Sequence, residues 1–298
     1  MKHRGLVLLG ALGVIWGIPY LLIKVAVEEI SPEMLVLART AIAGLVLLPV
    51  VVWRRELFGV FRHWKALLAY TAAEIVFPWY FISAAETRLA SSTAGLLLAA
   101  IPLAGVGVAF LLGRPERLGR WNWTGIVLGI LGVAAIVGLD VAGSDLVGVA
   151  LLAVAVVGYA LGPAILSRWL GEVPPLGVTV ASLLIAAIVY IPVVSIAGSW
   201  PTAWPSTPVV ASVVALALVC SGVAFLIFFA LIREVGPVRA TVVAYINPAV
   251  AVLAGVLVLG EPITVWTVVG FVLVILGSYL VTMRPAARRL VVPVEAEP

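Results

Sequence analysis

Hydrophobic positions run along this chain in blocks of about twenty residues, each closed by charges, prolines or glycines. Apolar blocks of that length are read as helices that cross the ~30 Å of hydrocarbon in a bilayer. Ten spans are predicted, at roughly 5–27, 33–53, 65–86, 89–112, 121–139, 146–166, 175–197, 208–232, 237–259 and 263–283. The expected fold class is an all-α membrane protein with ten transmembrane helices. The first block follows the basic start Met1-Lys2-His3-Arg4, but it is long and has no small-residue cleavage site, so it reads as a retained helix.

The charges between the blocks set an orientation, because Lys and Arg collect in cytoplasmic loops. With the N-terminus inside, Arg54, Arg55, Arg62, Lys65, Arg114, Arg168, Arg233 and Arg284 fall on the cytoplasmic side and Arg88 falls outside. The outer loops take Glu28, Glu29, Glu33, Glu86, Asp140, Asp145 and Glu261, and both termini are expected in the cytoplasm. Trp53, Trp64, Trp121, Trp169, Trp204 and Trp266 fall near span ends, where interfacial indoles belong. Lys24 and Arg39 are left inside spans, and Trp16 and Trp79 lie away from span ends.

The chain also repeats itself. "ISPEMLVLARTAIAGLVLLPVV" (30–51) aligns with "VPPLGVTVASLLIAAIVYIPVV" (173–194), matching Pro32 to Pro175 and Pro49 to Pro192. "LGRPERLGRWNWTGIVLGILG" (112–132) resembles "LGEPITVWTVVGFVLVILG" (259–277). This predicts two five-helix repeats, 1–141 and 142–285, followed by a cytoplasmic tail at 286–298. Five is odd, so the second repeat enters the membrane from the opposite side. Such inverted pairs are a common plan of secondary transporters, which hold substrate near the midplane.

Composition supports the membrane reading and excludes others. The chain is 64% hydrophobic and 11% charged, with a mean hydropathy of +1.24, too little polar surface to coat a water-soluble globule. The formal charge of +4 is spread over helix ends rather than gathered in a patch, so no nucleic-acid partner is expected. The single cysteine, Cys220, excludes an internal disulfide. His3 and His63 are the only histidines, and no nucleophile–base, metal-ligand or phosphate-cradling motif is visible. Neither an enzyme nor a cofactor or metal is expected.

The duplicated five-helix layout, the early Trp16-Gly17 and the Leu259-Gly260-Glu261-Pro262 sequence resemble the drug/metabolite transporter superfamily, in its ten-helix branch with paired EamA-type domains. The resemblance spans nearly the whole chain and is most similar to bacterial amino-acid exporters. It implies export through a central cavity in the bacterial cytoplasmic (inner) membrane. The first half departs from it by carrying Arg114 where the second carries Glu261, so no role common to both positions follows.

Several residues are candidates for the site. Trp16, Tyr20 and Lys24 recur at i, i+4 and i+8, one stripe along the first span, and the repeat maps Trp16 onto Tyr159. Gly17 and Pro19, with Gly162 and Pro163 in the sixth span, are candidate hinges; close helix packing is the alternative. Glu74 lies near the middle of the third span, where an ionised group costs at least ~2.5 kcal/mol and must face protein or water. It has three readings: a substrate ammonium, a proton, or an ion pair with Lys24 or Arg39. Lys24 either snorkels to the interface or meets a substrate carboxylate, and Arg39 is expected to neutralise an acid. Trp79 and Tyr80, with Ser221, Phe225, Phe228 and Phe229 in the eighth span, supply aromatic walls or ordinary packing. The face of the third span that meets the cavity is left open, since Trp79 and Glu74 lie about 140° apart on a helix. Tyr245 and Asn247 in the ninth span read equally as substrate contacts or interhelical bonds. Gly125, Gly129, Gly132, Gly270 and Gly277 read as close packing within or between protomers.

The expected function is a secondary exporter of amino acids, broad in range and extending to aromatic ones, working by alternating access. Its partners are a small-molecule substrate and membrane lipid; a homo-oligomer is compatible, although a monomer would suffice. The alternatives are efflux of lipophilic cations or other small metabolites and, in another class, a non-transporting membrane scaffold or sensor.

Overall fold

The computed structural model describes residues 3–57, 59–111, 118–137, 145–236, 240 and 242–282. The boundary at 141–142, the tail at 286–298, and Arg114, Asp140 and Arg284 lie outside these residues.

Among the described residues every regular element is helical, and local sequence accounts for most breaks. The first span is two helices, α1 (His3–Gly17) and α2 (Pro19–Ala26), interrupted at Ile18 because Pro19 has no N–H for the helical ladder. Helix α3 (Pro32–Trp53) starts where Ser31 Oγ accepts from the Met34 N–H at 3.3 Å and Pro32 fills the first helical position. The third span runs through α4 (Trp64–Thr71), a π-helical segment at Ala72–Val76 and α5 (Phe77–Glu86). The fourth is α6 (Ser91–Leu98) and α7 (Ile101–Leu111), bent by 42° just before Pro102. Helix α8 (Arg120–Ala135) completes the first half.

The second half follows the same order. Helix α9 (Leu146–Trp169) is capped by Asp145, which accepts from the Val147 and Gly148 N–H groups. Helix α10 (Pro175–Ala197) ends on Gly198 at φ +66°. The eighth span is α11 (Thr207–Ala215), a π-helical segment at Leu216–Val223 and α12 (Ala224–Val235). Helices α13 (Val243–Leu259) and α14 (Val265–Thr282) follow, joined through Gly260 at φ +67°. By length and apolarity seven helices are able to cross a bilayer, and the bent α6–α7 pair makes an eighth. Helices α8 and α13 are shorter, at 16 and 17 residues, so for these two a full span rests on the sequence.

The packing pairs equivalent elements: α3 against α10, and α8 against α14. Helix α5 packs on α9 as α12 packs on α1. The α8–α14 contact is built from glycines of this one chain. A Cβ added at Gly277 would stand 2.5 Å from Gly129 N and 2.7 Å from Gly125 O, and one at Gly132 would stand 2.8 Å from Gly270 O. Without side chains the two backbones touch, which gives dispersion contacts where lipid supplies no hydrophobic drive. Around this interior Leu45, Ile188, Ile196, Leu257 and Val258 are exposed, a surface suited to acyl chains.

Candidate functional site

The centre of the molecule is organised by Arg39 of α3. Its side chain is buried, its guanidinium carbon lies 3.7 Å above the Trp79 ring of α5, and its Nε donates to Ser221 Oγ at 3.0 Å. Ser221 stands on the π-helical segment of the eighth span, and its hydroxyl donates a hydrogen bond to Leu216 O at 2.9 Å. An aromatic face and a hydroxyl thus replace part of the water that the cation lost. Cys220, Tyr159, Tyr20 and the acid Glu86 lie within reach of its charge. No carboxylate stands within 4.0 Å of Arg39 among the described residues, and its two Nη groups carry no hydrogen bond there.

Arg39 was expected to neutralise an acid, and it makes no direct ion pair among the described residues: the acid within reach of its charge, Glu86, is not in contact. The aromatic face and the Ser221 hydroxyl take that place and leave the fork of the guanidinium open. Serine supplies only one neutral-acceptor bond, so Ser221→Ala should weaken substrate affinity by about fivefold, the equivalent of ~1 kcal/mol, in an equilibrium binding titration.

Glu74 sits in the π-helical segment of the third span and forms no ion pair with Lys24 or Arg39. Its Oε2 is buried without a hydrogen-bond partner among the described residues and faces α9, where Gly162 makes room: a Cβ there would collide with that oxygen. Helix α9 is continuous through Gly162 and Pro163, and Pro163 is exposed. The first span is interrupted between Gly17 and Pro19, and Gly17 also packs so tightly that a Cβ would lie 2.4 Å from Val250 of α13. Trp79 meets Arg39 of α3, and both Trp79 and Glu74 meet Tyr159 of α9.

Trp16 meets Phe225 at a ring-centroid distance of 6.0 Å and Phe228 at 5.0 Å, where α1 crosses α12. The fold therefore gathers Tyr20, Trp79, Tyr159 and Ser221 around Arg39, with the Trp16–Phe225 pair on the same two spans that supply Tyr20 and Ser221. It does not gather three others. Lys24 donates to the main-chain oxygens of Glu86 and Leu89, at 2.7 and 3.0 Å. Tyr245 bonds to Thr282 Oγ1 at 2.8 Å and stacks edge-on with Tyr279 of α14. Asn247, with its amide assigned from the hydrogen-bond network, donates to Gly13 O and Val243 O at 3.3 and 2.9 Å and ties α13 to α1.

Sequence reasoning placed two acids in outer loops that the fold uses otherwise. Glu86 is the last residue of α5 and fully buried. Glu261 accepts from the N–H groups of Ser91 and Ser92 at 2.7 and 2.9 Å, and so caps α6 from the opposite half of the chain. Other links at this acidic end also join the halves: Glu29 accepts from Ser206 N, Glu33 from Ser199 Oγ, and Arg88 pairs with Asp145. A signal for Glu261 was its place in the loop before a helix; Glu86, beside Thr87 and Arg88, had none.

Partial burial pushes the Glu261 carboxyl up, but hydrogen bonds from Ser92 and Ser91 outweigh it and hold the group below the ordinary glutamate range. A lowered folded value stabilises the clamp at pH above the ordinary range, and the contribution fades as pH falls through the folded value. The melting-temperature difference between wild type and Glu261→Gln should therefore be constant above the ordinary glutamate range and shrink only in stronger acid.

A groove of about 480 Å³ between α3 and α11 is lined by Ile30, Met34, Ala38, Trp204 and Val213, and none of the candidate residues borders it.

Comparison with known proteins agrees with this architecture. The sequence profile of the EamA-like transporter family matches residues 3–138 and again 146–283. The chain is 30% identical over 298 residues to "Uncharacterized inner membrane transporter YedA" of Escherichia coli K12, covering 96% of this chain and 95% of that protein. It is 25% identical to an "Uncharacterized transporter" of Archaeoglobus fulgidus, covering 90% and 95%, and 24% identical to "Uncharacterized transporter YvbV" of Bacillus subtilis, covering 97% and 94%. A solved structure titled "Crystal structure of protein" has the same fold, with a TM-score of 0.65 at 22% identity over 95% of this chain and 97% of that one. Matched in both halves, and with a multi-pass helical fold built from paired halves, the chain belongs to the EamA-like transporter family of membrane transporters.

Proposed function

We propose that this inner-membrane transporter exports amino acids from the cytoplasm by alternating access, and that Arg39 holds the substrate carboxylate. The observation that carries this is the open guanidinium fork, stacked on Trp79 and tethered through Nε to Ser221, with no carboxylate in direct contact among the described residues. A buried cation held that way is costly unless an anion completes it, and a carboxylate fits the fork in bidentate fashion. Tyr20 and Tyr159 beside it, with the Trp16–Phe225 pair, suit apolar and aromatic side chains.

The pairing of α3 with α10 and of α8 with α14, and the π-helical segments in both the third and the eighth span, support two halves related by inversion. In that arrangement the acidic end faces outward, and the links there between the halves hold the outer gate closed. Lipophilic cations are disfavoured as substrates because they would share the chamber with the Arg39 guanidinium, which no carboxylate contacts among the described residues.

The test is counterflow in proteoliposomes. Labelled L-phenylalanine should accumulate against preloaded L-phenylalanine, and a panel of other zwitterionic amino acids should compete. Accumulation of a lipophilic cation with no response to any amino acid would overturn the proposal.

A further inference from the structure

Glu86 is the feature that the substrate reading leaves unused. It ends α5 with its side chain fully buried, and among the described residues neither carboxylate oxygen has a partner within hydrogen-bond distance. The groups that face it come from three directions. Tyr20 and Lys24 lie on α2, Arg39 lies on α3, and Glu261 lies in the loop before α14.

Each of the nearer charges has its direct contacts elsewhere. The Lys24 ammonium donates to the main-chain oxygens of Glu86 and Leu89, and the Glu261 carboxylate is taken by the N–H groups of Ser91 and Ser92. Arg39 spends Nε on Ser221 and lies over Trp79. Glu86 is thus a carboxyl shut away from water, with no side-chain hydrogen-bond partner on either oxygen among the described residues. Ionised, it would bear a large desolvation cost, offset only in part by the nearby Lys24 and Arg39 charges and the Lys24 main chain and opposed by Glu261; with a proton, that cost falls to the cost of a neutral polar group.

We infer that Glu86 is a proton-binding site, loaded while the acidic end is sealed and discharged when that end opens and water reaches the carboxyl. Both states have a cause in the fold. Sealing depends on the Glu261 clamp on α6 and the Lys24 bonds to the end of α5, which close over Glu86 from two elements. Opening removes those covers and hydrates the carboxylate, which then adds negative charge between Lys24 and Arg39. Protons on the acidic side therefore favour the sealed form. This makes Glu86 a coupling site for protons whatever the substrate proves to be, so it stands apart from the assignment of Arg39.

The experiment pairs a direct readout of the proton with a functional one. Infrared difference spectra of the purified full chain in lipid at neutral pH should show a protonated-carboxyl carbonyl band that Glu86→Gln removes and Glu86→Asp shifts but keeps. Glu74→Gln serves as the control for the other intramembrane acid. In proteoliposomes, wild-type L-phenylalanine exchange should change with pH on the acidic side by up to roughly tenfold per unit, the limit for one titrating proton. Glu86→Gln should leave exchange nearly flat with pH while still binding L-phenylalanine. A spectrum unchanged by Glu86→Gln, or a variant whose exchange keeps the wild-type pH profile, would overturn the inference. If Glu86→Gln does not fold, a Glu86→Asp variant that lacks the band at neutral pH would overturn it equally. Loss of L-phenylalanine binding by the wild type would instead count against the substrate reading alone.

Discussion

Replacing Arg39 with alanine should abolish measurable amino-acid exchange while leaving the protein folded and at least as heat-resistant as the wild type. The two effects have opposite signs because the same feature causes both. An arginine buried on Trp79 with an open fork contributes little to folding, since its desolvation is only partly offset by one ring and one hydroxyl. Removing it relieves that cost. A substrate carboxylate held bidentate would lose charge-assisted bonds worth ~3 kcal/mol together, about a hundred-fold in affinity. Arg39→Lys keeps the charge but loses both the planar stack and the fork, so it should retain at most about a tenth of wild-type affinity. Isothermal titration with L-phenylalanine and a thermal melt on the same samples measure both quantities. A variant that melts early and binds normally would make Arg39 a structural residue.

The second large effect belongs to the fold. Gly277→Val places methyl groups where the backbone of α8 already stands, with the first added carbon 2.5 Å from Gly129 N and 2.7 Å from Gly125 O. Neither backbone is able to give way as a side chain does, so α8 and α14 must separate along their length. Overpacking of this kind costs ~3 kcal/mol or more, a lowering of the melting temperature by roughly 10 °C. Gly10→Val on α1 is the matched control, because a Cβ there meets nothing within 4 Å. Folded yield after size-exclusion chromatography and the melting temperature should fall for the first and hold for the second.

Much of this fold was legible because lipid imposes a simple code: long apolar runs become helices, and Pro19 and Pro102 mark the places where their ladders break. The glycines of the fifth and tenth spans read as packing for the same reason, and the structure assigns that packing to one chain. The site was less legible. Arg39 was expected to find an acid, since pattern reasoning pairs opposite charges. Its partners are a ring and a hydroxyl, and Ser221 lies 182 positions away, a distance no local periodicity spans. The face of the third span stayed open because its π-helical segment includes Glu74 and ends short of Trp79, and an ideal-helix angle does not show that both reach Tyr159 of α9. Glu86 was misplaced because the neighbouring Thr87 and Arg88 look like a loop, whereas Lys24 draws the end of α5 inward by its main-chain oxygens. Asn247 had two readings from sequence, and the close approach of α1 at Gly13 directs its amide to the helix.

The central claim is that an unpaired guanidinium selects for a carboxylate. Competition between L-phenylalanine and L-phenylalaninol for the purified protein tests it, because the two differ only in the group that would meet Arg39. The account predicts that L-phenylalanine displaces a labelled amino acid and that the alcohol fails at about a hundred-fold higher concentration. Equal displacement by both compounds, unchanged in Arg39→Ala, would contradict it.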